Sequence, residues 1–174
     1  MLFHGVLGGL VVFTQFAVVH SQMAPAYRVD GAAESQFEGT YVRMATAQCN
    51  GKPVYQLGGS DGGDVLFQPE GLSYWLVSTS DYATSCDASG WITSNGNDGS
   101  CAASPDGGGC SGKWQENTGC DDAWCPRPDL SVQAVQCEAV CGPHGSVSSR
   151  HRGRCVCTCE SRRYSGALCQ IYGE

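Results

Sequence analysis

The sequence predicts a small disulfide-rich all-β protein, an antiparallel β meander or sandwich followed by a second, shorter cysteine-rich unit. Three observations lead there. Twelve cysteines lie in 174 residues, an even number that can pair completely in an oxidising compartment. Short runs of β-branched and aromatic residues alternate with Gly, Asn, Asp and Pro clusters, the composition of strands and tight turns. No window carries a convincing helical period.

The first residues decide the compartment. Residues 5–19, GVLGGLVVFTQFAVV, are nearly all apolar and carry no charge. That run is shorter than the roughly 20 residues a spanning helix needs and suits a signal-peptide core. Small Ser21, with Val19 two residues earlier, offers cleavage before Gln22. Residues 1–21 are therefore expected to be a signal peptide, leaving a secreted, extracellular product without a membrane span.

Residues 22–125 are expected to form a β-rich disulfide-containing domain. Its strands are read at Gly39–Ala45, Pro53–Leu57, Asp64–Gln68, Leu72–Val77, Gly90–Thr93 and Gly112–Gln115, with Tyr41, Tyr55, Phe67, Trp75 and Trp91 supplying the core. Asn50-Gly51, the glycines from Gly58 to Gly63, and Pro69-Glu-Gly71 provide the turns. The stretch from Asp98 to Cys125 is mostly Gly, Ser, Asp and Cys, which suits irregular loops held by bridges. Short-range closure favours Cys101–Cys110 and Cys120–Cys125, leaving Cys49–Cys86, one connectivity among the many that six cysteines allow.

Composition changes at Cys125-Pro-Arg-Pro-Asp129. Two prolines in three residues disfavour regular pairing, so residues 126–136 are expected to be a linker between two units with six cysteines each. From Gln22 to Asp129 there are 14 acidic against 5 basic residues, and from Leu130 to Glu174 there are 3 against 5. Neither part has the clustered positive footprint of a nucleic-acid partner.

The C-terminal unit carries the most specific pattern: Cys137-Glu-Ala-Val-Cys141-Gly-Pro-His-Gly145, then Gly153-Arg-Cys155-Val-Cys157-Thr-Cys159, then Tyr164-Ser-Gly166-Ala-Leu-Cys169. Residues 137–169 thereby resemble an epidermal-growth-factor-like (EGF-like) domain, with residues 170–174 as a tail. The resemblance implies a two-stranded hairpin module with bridges in first–third, second–fourth and fifth–sixth order, here Cys137–Cys155, Cys141–Cys157 and Cys159–Cys169. It departs from the common form in having six residues between Cys159 and Gly166, with the third cysteine beside the fourth and fifth. The family's calcium-binding form needs acidic residues before its first cysteine, and only Asp129 is charged in that approach, too few oxygen ligands for a hard cation. Its receptor-activating growth factors also space the third cysteine differently. The N-terminal part is similar to an unnamed module found beside EGF-like domains in extracellular proteins of unicellular eukaryotes, through Gly39-Thr-Tyr41, Cys49-Asn-Gly-Lys-Pro-Val-Tyr55, Leu72 with Tyr74-Trp-Leu76, and Gly112-Lys-Trp114.

Candidate sites follow from residue chemistry. Arg150, Arg152, Arg154, Arg162 and Arg163 place half of the chain's Lys and Arg within 14 residues. They are a candidate anion- or glycan-binding face, against the simpler reading of a solvated loop. Trp114 and Trp124, in Gly- and Cys-rich surroundings, are the candidate aromatic platform for sugar stacking, although packing against a disulfide is equally ordinary. The many Asp residues among glycines are read as turn residues, since no stretch fits a calcium loop. His144 and His151 stand without a nucleophile motif, and bridged cysteines are not nucleophiles. No catalytic residue, metal or cofactor is expected. The reading is a binding, adhesion or matrix module recognising an extracellular protein or glycan. Its rivals are a soluble ligand or inhibitor of a receptor or protease, and, less favoured, a small hydrolase.

Overall fold

The computed structural model describes residues 23–59, 63–94, 101–107, 109–117, 124–142, 144–151, 154–161, 164–165, 169 and 171–172; the signal segment expected at 1–21 lies outside them. Nine strands form one antiparallel sheet: β1 (Ala26–Asp30), β2 (Gly39–Cys49), β3 (Lys52–Leu57), β4 (Val65–Phe67), β5 (Leu76–Ser78), β6 (Ile92–Ser94), β7 (Trp114–Glu116), β8 (Cys125–Pro126) and β9 (Ser131–Val135). Strands β1 to β8 follow one another in space as in sequence, and β9 adds beside β1. The protein is a small disulfide-rich all-β molecule, and its sheet is a meander.

That strand order forces the sheet to curl. Strands β8 and β9 occupy opposite edges, and nine flat strands about 4.8 Å apart would separate those edges by about 38 Å. Only residues 127–130 lie between Pro126 and Ser131, a reach of about 18 Å at most. Every neighbouring pair is antiparallel, so β8 and β9 run in the same direction. The chain leaves one edge, kinks, and continues as the other, which curls the sheet into a barrel-like form.

Residues 126–136, expected to be a linker, therefore supply parts of both sheet edges, and β9 pairs with β1 over five residues from Ala26↔Val135 to Asp30↔Ser131. Pro126 and Pro128 fit because an edge and a kink tolerate residues without an N–H. Two further readings change. Leu72–Trp75 is a turn rather than strand: the Asn50 side-chain amide donates to the Leu72 carbonyl at 2.9 Å, and the Trp75 N–H donates to Ser94 Oγ at 2.8 Å. Strand β1 and two short helices, α1 (Ser80–Ser85) and α2 (Cys137–Val140), escaped the sequence reading, the helices because a turn or two shows no period.

Alternation divides the side chains between two faces. Tyr27, Val29, Tyr41, Tyr55, Leu66, Trp75, Val77, Ile92, Trp114 and Val132 fill the inside, each large one contributing about 1.5–3 kcal/mol by leaving water. Tyr27 meets Tyr55 edge to face at 4.8 Å. The disulfide Cys101–Cys110 packs against this core, and the Trp75 indole N–H donates to the Cys101 carbonyl at 2.9 Å. Trp91, expected in the core, is 39% exposed and lies stacked on buried Phe37, ring centroids 6.3 Å apart. It sits one residue ahead of β6, outside the inward-pointing register.

The outer face is covered in two places. Over β3, β4 and β5, buried Val54, Val65, Phe67 and Leu76 cluster with Cys49, and Ala83 of α1 and Cys86 pack against them. The disulfide Cys49–Cys86 fastens that helix to the end of β2. Over β1 and β2, Ala26 and Val42 pack against Cys137, Val140 and Cys155 of the C-terminal module. That module comprises α2, the hairpin β10 (Gly145–His151) with β11 (Arg154–Cys159), and the short pair β12 (Tyr164–Ser165) with β13 (Ile171–Tyr172). It is bridged Cys137–Cys155, Cys141–Cys157 and Cys159–Cys169. Residues 171 and 172, expected in a tail, pair with β12.

Candidate functional site

Two polar features stand out on the sheet, one at its seam and one on its outer face. At the seam, Glu116 of β7 points inward and is fully buried. Its carboxylate accepts the Ala33 backbone N–H at 3.0 and 2.9 Å and pairs with Arg127 Nη1 at 2.9 Å. Arg127 also donates through Nη2 to the Gly31 carbonyl at 3.1 Å and to Asp129 at 3.3 Å. That hydrogen bond holds the exposed Asp129 carboxyl below the usual carboxylate range. One guanidinium thus ties β7, the β8–β9 kink and the loop after β1. Gly31 makes the approach possible: its φ is +83°, and a Cβ there would meet the Asp129 carbonyl oxygen at 2.4 Å. The network joins β7, the β8–β9 kink and the loop after β1 through paired polar groups, so its role is to hold the two sheet edges together.

The second feature is a cleft of about 250 Å³ lined by Tyr74, Leu76, Ala88, Thr93, Ser94, Gln115 and Trp124. Its floor is a cross-strand row: Leu76 pairs with Thr93, and Thr93 with Gln115, across β5, β6 and β7. Directly opposite residues hold their Cβ atoms about 5 Å apart, so Thr93 and Gln115 present a hydroxyl and an amide side by side. Half-buried Tyr74 enters from the turn before β5, and half-buried Trp124 immediately precedes β8. Burial pushes the Tyr74 phenol up, and a phenol is already a neutral hydrogen-bond donor at physiological pH. Among the described residues that line it, no side chain is ionised near neutrality.

The sequence-derived candidates fall differently. Trp124 lines this cleft. Trp114 does not join it: at 2% exposure it belongs to the inner core, because residue 114 begins β7 in the inward register and Gln115 takes the outward one. Trp114 and Trp124 therefore form no common platform, and Trp124 lines the cleft together with Tyr74. Arg152, Arg162 and Arg163 lie outside the described residues, as do the side chains of Arg150 and Arg154, so the basic cluster stays a reading of the sequence. Cys49 pairs with Cys86 and Cys101 with Cys110; Cys125 is disulfide-bonded, and Cys120 lies outside the described residues. His144 is half-exposed, and its carbonyl accepts the Glu160 N–H at 2.9 Å; the His151 side chain lies outside the described set.

Tyr74, Thr93, Gln115 and the Glu116–Arg127 pair were missed. The alternation Trp114-Gln-Glu116 held the signal for two of them: reading Trp114 as inward makes Glu116 an inward acid that requires a cation. Among the described residues, no group of three or more His, Cys, Asp or Glu could hold a metal ion. No helix among them is long and apolar enough to cross a membrane. The disulfides are compatible with an extracellular location.

No known protein family, curated protein or solved structure matches the chain.

Proposed function

We propose that the chain is a secreted, extracellular binding module, with a curled-sheet domain and an EGF-like module that act together to present ligand-contacting surface. The supporting observation is how the connections are held. Cys49–Cys86 fixes α1, Cys101–Cys110 fixes the segment packed against the barrel interior, and three further bridges hold the C-terminal module. Surfaces held this way lose little conformational freedom on binding, which favours recognition. The partner is an extracellular protein or glycan, and the protein works without a catalytic centre.

The test is retention of the secreted, oxidised protein on extracellular matrix and cell surfaces. Saturable retention that disappears after disulfide reduction supports the reading. Absence of saturable retention, or retention unchanged by reduction, overturns it.

A further inference from the structure

We propose that the cleft on the outer face of β5, β6 and β7 binds a neutral sugar ring, stacked on Trp124 and hydrogen-bonded by Gln115, Thr93 and Tyr74. The inference rests on the binding-module reading and names its ligand class.

The chemistry of the lining selects among ligands by elimination. An anion finds no Arg, Lys or His among the described residues that line the cleft, and the whole chain carries a net charge of −7. A cation finds no carboxylate among those described residues. A wholly apolar ligand would bury the Gln115 amide and the Thr93 hydroxyl without partners, which is unfavourable. An extended peptide adding as a strand needs a free sheet edge, yet β5, β6 and β7 are each paired on both sides. At about 250 Å³ the cleft falls below the roughly 300–1,000 Å³ of sites that enclose drug-sized ligands, a size suited to a single ring. What remains is a small neutral molecule with hydroxyls on its rim and an apolar C–H face. A pyranose has that surface: its axial hydrogens meet the indole face of Trp124, and its hydroxyls meet an amide, an aliphatic hydroxyl and a neutral phenol.

The polar groups are also positioned in advance. Thr93 and Gln115 are locked by strand register. Trp124 is anchored by the disulfide-bonded Cys125 beside it and by the pairing of Gln115 with Pro126.

Saturation-transfer NMR on the full secreted chain, using the methyl glycosides of glucose, galactose, mannose and N-acetylglucosamine at millimolar concentration, tests the assignment. At least one glycoside is expected to show transfer. Gln115→Ala should weaken it about tenfold, the effect of one lost neutral hydrogen bond; Trp124→Ala should abolish it, and Trp124→Phe should retain part of it. Trp91→Ala, which changes an exposed indole elsewhere, should leave it unchanged, and near-UV circular dichroism verifies the fold of each variant. No transfer with any of the four glycosides overturns the inference, as does transfer that survives Trp124→Ala in a folded protein. Retention on matrix and cell surfaces, measured on the same samples, separates the two levels. If glycoside binding is absent while reduction-sensitive retention persists, the sugar cleft fails and the binding module stands; if both are absent, both fail.

Discussion

At the scale of single residues, the barrel depends on one buried acid. Glu116 has no access to water, whereas Arg127 keeps 23% of its side chain exposed, so the two partners are not equivalent. Removing the arginine leaves a buried carboxylate satisfied only by the Ala33 N–H, and breaking a buried pair in this way costs about 3–5 kcal/mol. Arg127→Ala is expected to lose that much in urea unfolding, and Glu116→Ala/Arg127→Ala less than the sum of its singles. Strict additivity in the double-mutant cycle would show that the pair is not coupled. The buried phenols make a second residue-scale prediction. Burial, with the negative Asp106 next in effect, pushes Tyr27 up to about 12, and burial raises Tyr41 and Tyr55 further. A phenol whose folded pKa exceeds its unfolded value contributes stability that is complete below about pH 10 and lost as pH rises through the folded value. The contribution of these phenols to stability should therefore be constant up to about pH 10 and fall steeply beyond it, with the phenols ionising only as near-UV dichroism disappears. Ionisation of all the tyrosines near pH 10 in a protein of unchanged dichroism would refute this.

At the scale of elements, α1 shows what a disulfide does here. The helix has six residues and buries none of them fully, far short of the length that sustains an isolated helix in water. Its attachment comes from Cys49–Cys86 and the packing of Ala83 and Cys86 on the outer cluster. Cys49→Ser/Cys86→Ser should lower stability by about 2–4 kcal/mol. Its signature in hydrogen exchange should be loss of protection at residues 82–86 while β1, β2 and β9 stay protected. Uniform loss across the sheet would instead make the bridge a support of the barrel itself. The sequence announced strands best where alternation was long, as at Gly39–Ala45 and Pro53–Leu57, because tertiary pairing there agreed with local preference. It misjudged elements whose position is decided at a distance. β1 is a plain Ala-Tyr-Arg-Val-Asp run until β2 and β9 flank it. The prolines at 126 and 128 suggest a break until the kink between two edges explains them. For the cleft, Trp124 was readable as a half-exposed aromatic. Thr93 and Gln115 were not, since only strand register brings them into one row with Leu76, nor was Tyr74, which reaches the cleft from the turn before β5.

At the scale of the whole molecule, the two cysteine-rich parts are joined through the sheet. Strand β9 pairs with β1 at one edge of the sheet and leads within one residue into α2, whose Val140 packs with Cys137 and Cys155 on Ala26 and Val42. The module thus covers apolar outer-face residues that would otherwise meet water, and the sheet supplies the module with a wall that a unit of its size lacks. Cooperativity follows from this shared surface: two parts that bury each other's apolar groups should unfold together. The tryptophans all lie between residues 75 and 124, so their fluorescence reports the barrel, while the methyl groups of Val147 and Val156 report the module. With disulfides intact, both probes are expected to give one coincident urea transition. Val42→Asp places a carboxylate in the centre of the contact, where Val42 is only 5% exposed and its neighbours are Val140, Val147 and bridged cysteines. An unpaired charge in that setting is expelled rather than accommodated, so the module should lift from the outer face while the barrel interior, on the opposite side of β2, keeps its packing. The variant should show two separated transitions, earlier cleavage by protease near residue 136, and unchanged tryptophan emission before the barrel melts. If its transitions remain coincident and merely shift together, the barrel and the module are coupled through β9 alone and the Ala26–Val42 contact contributes little to holding them.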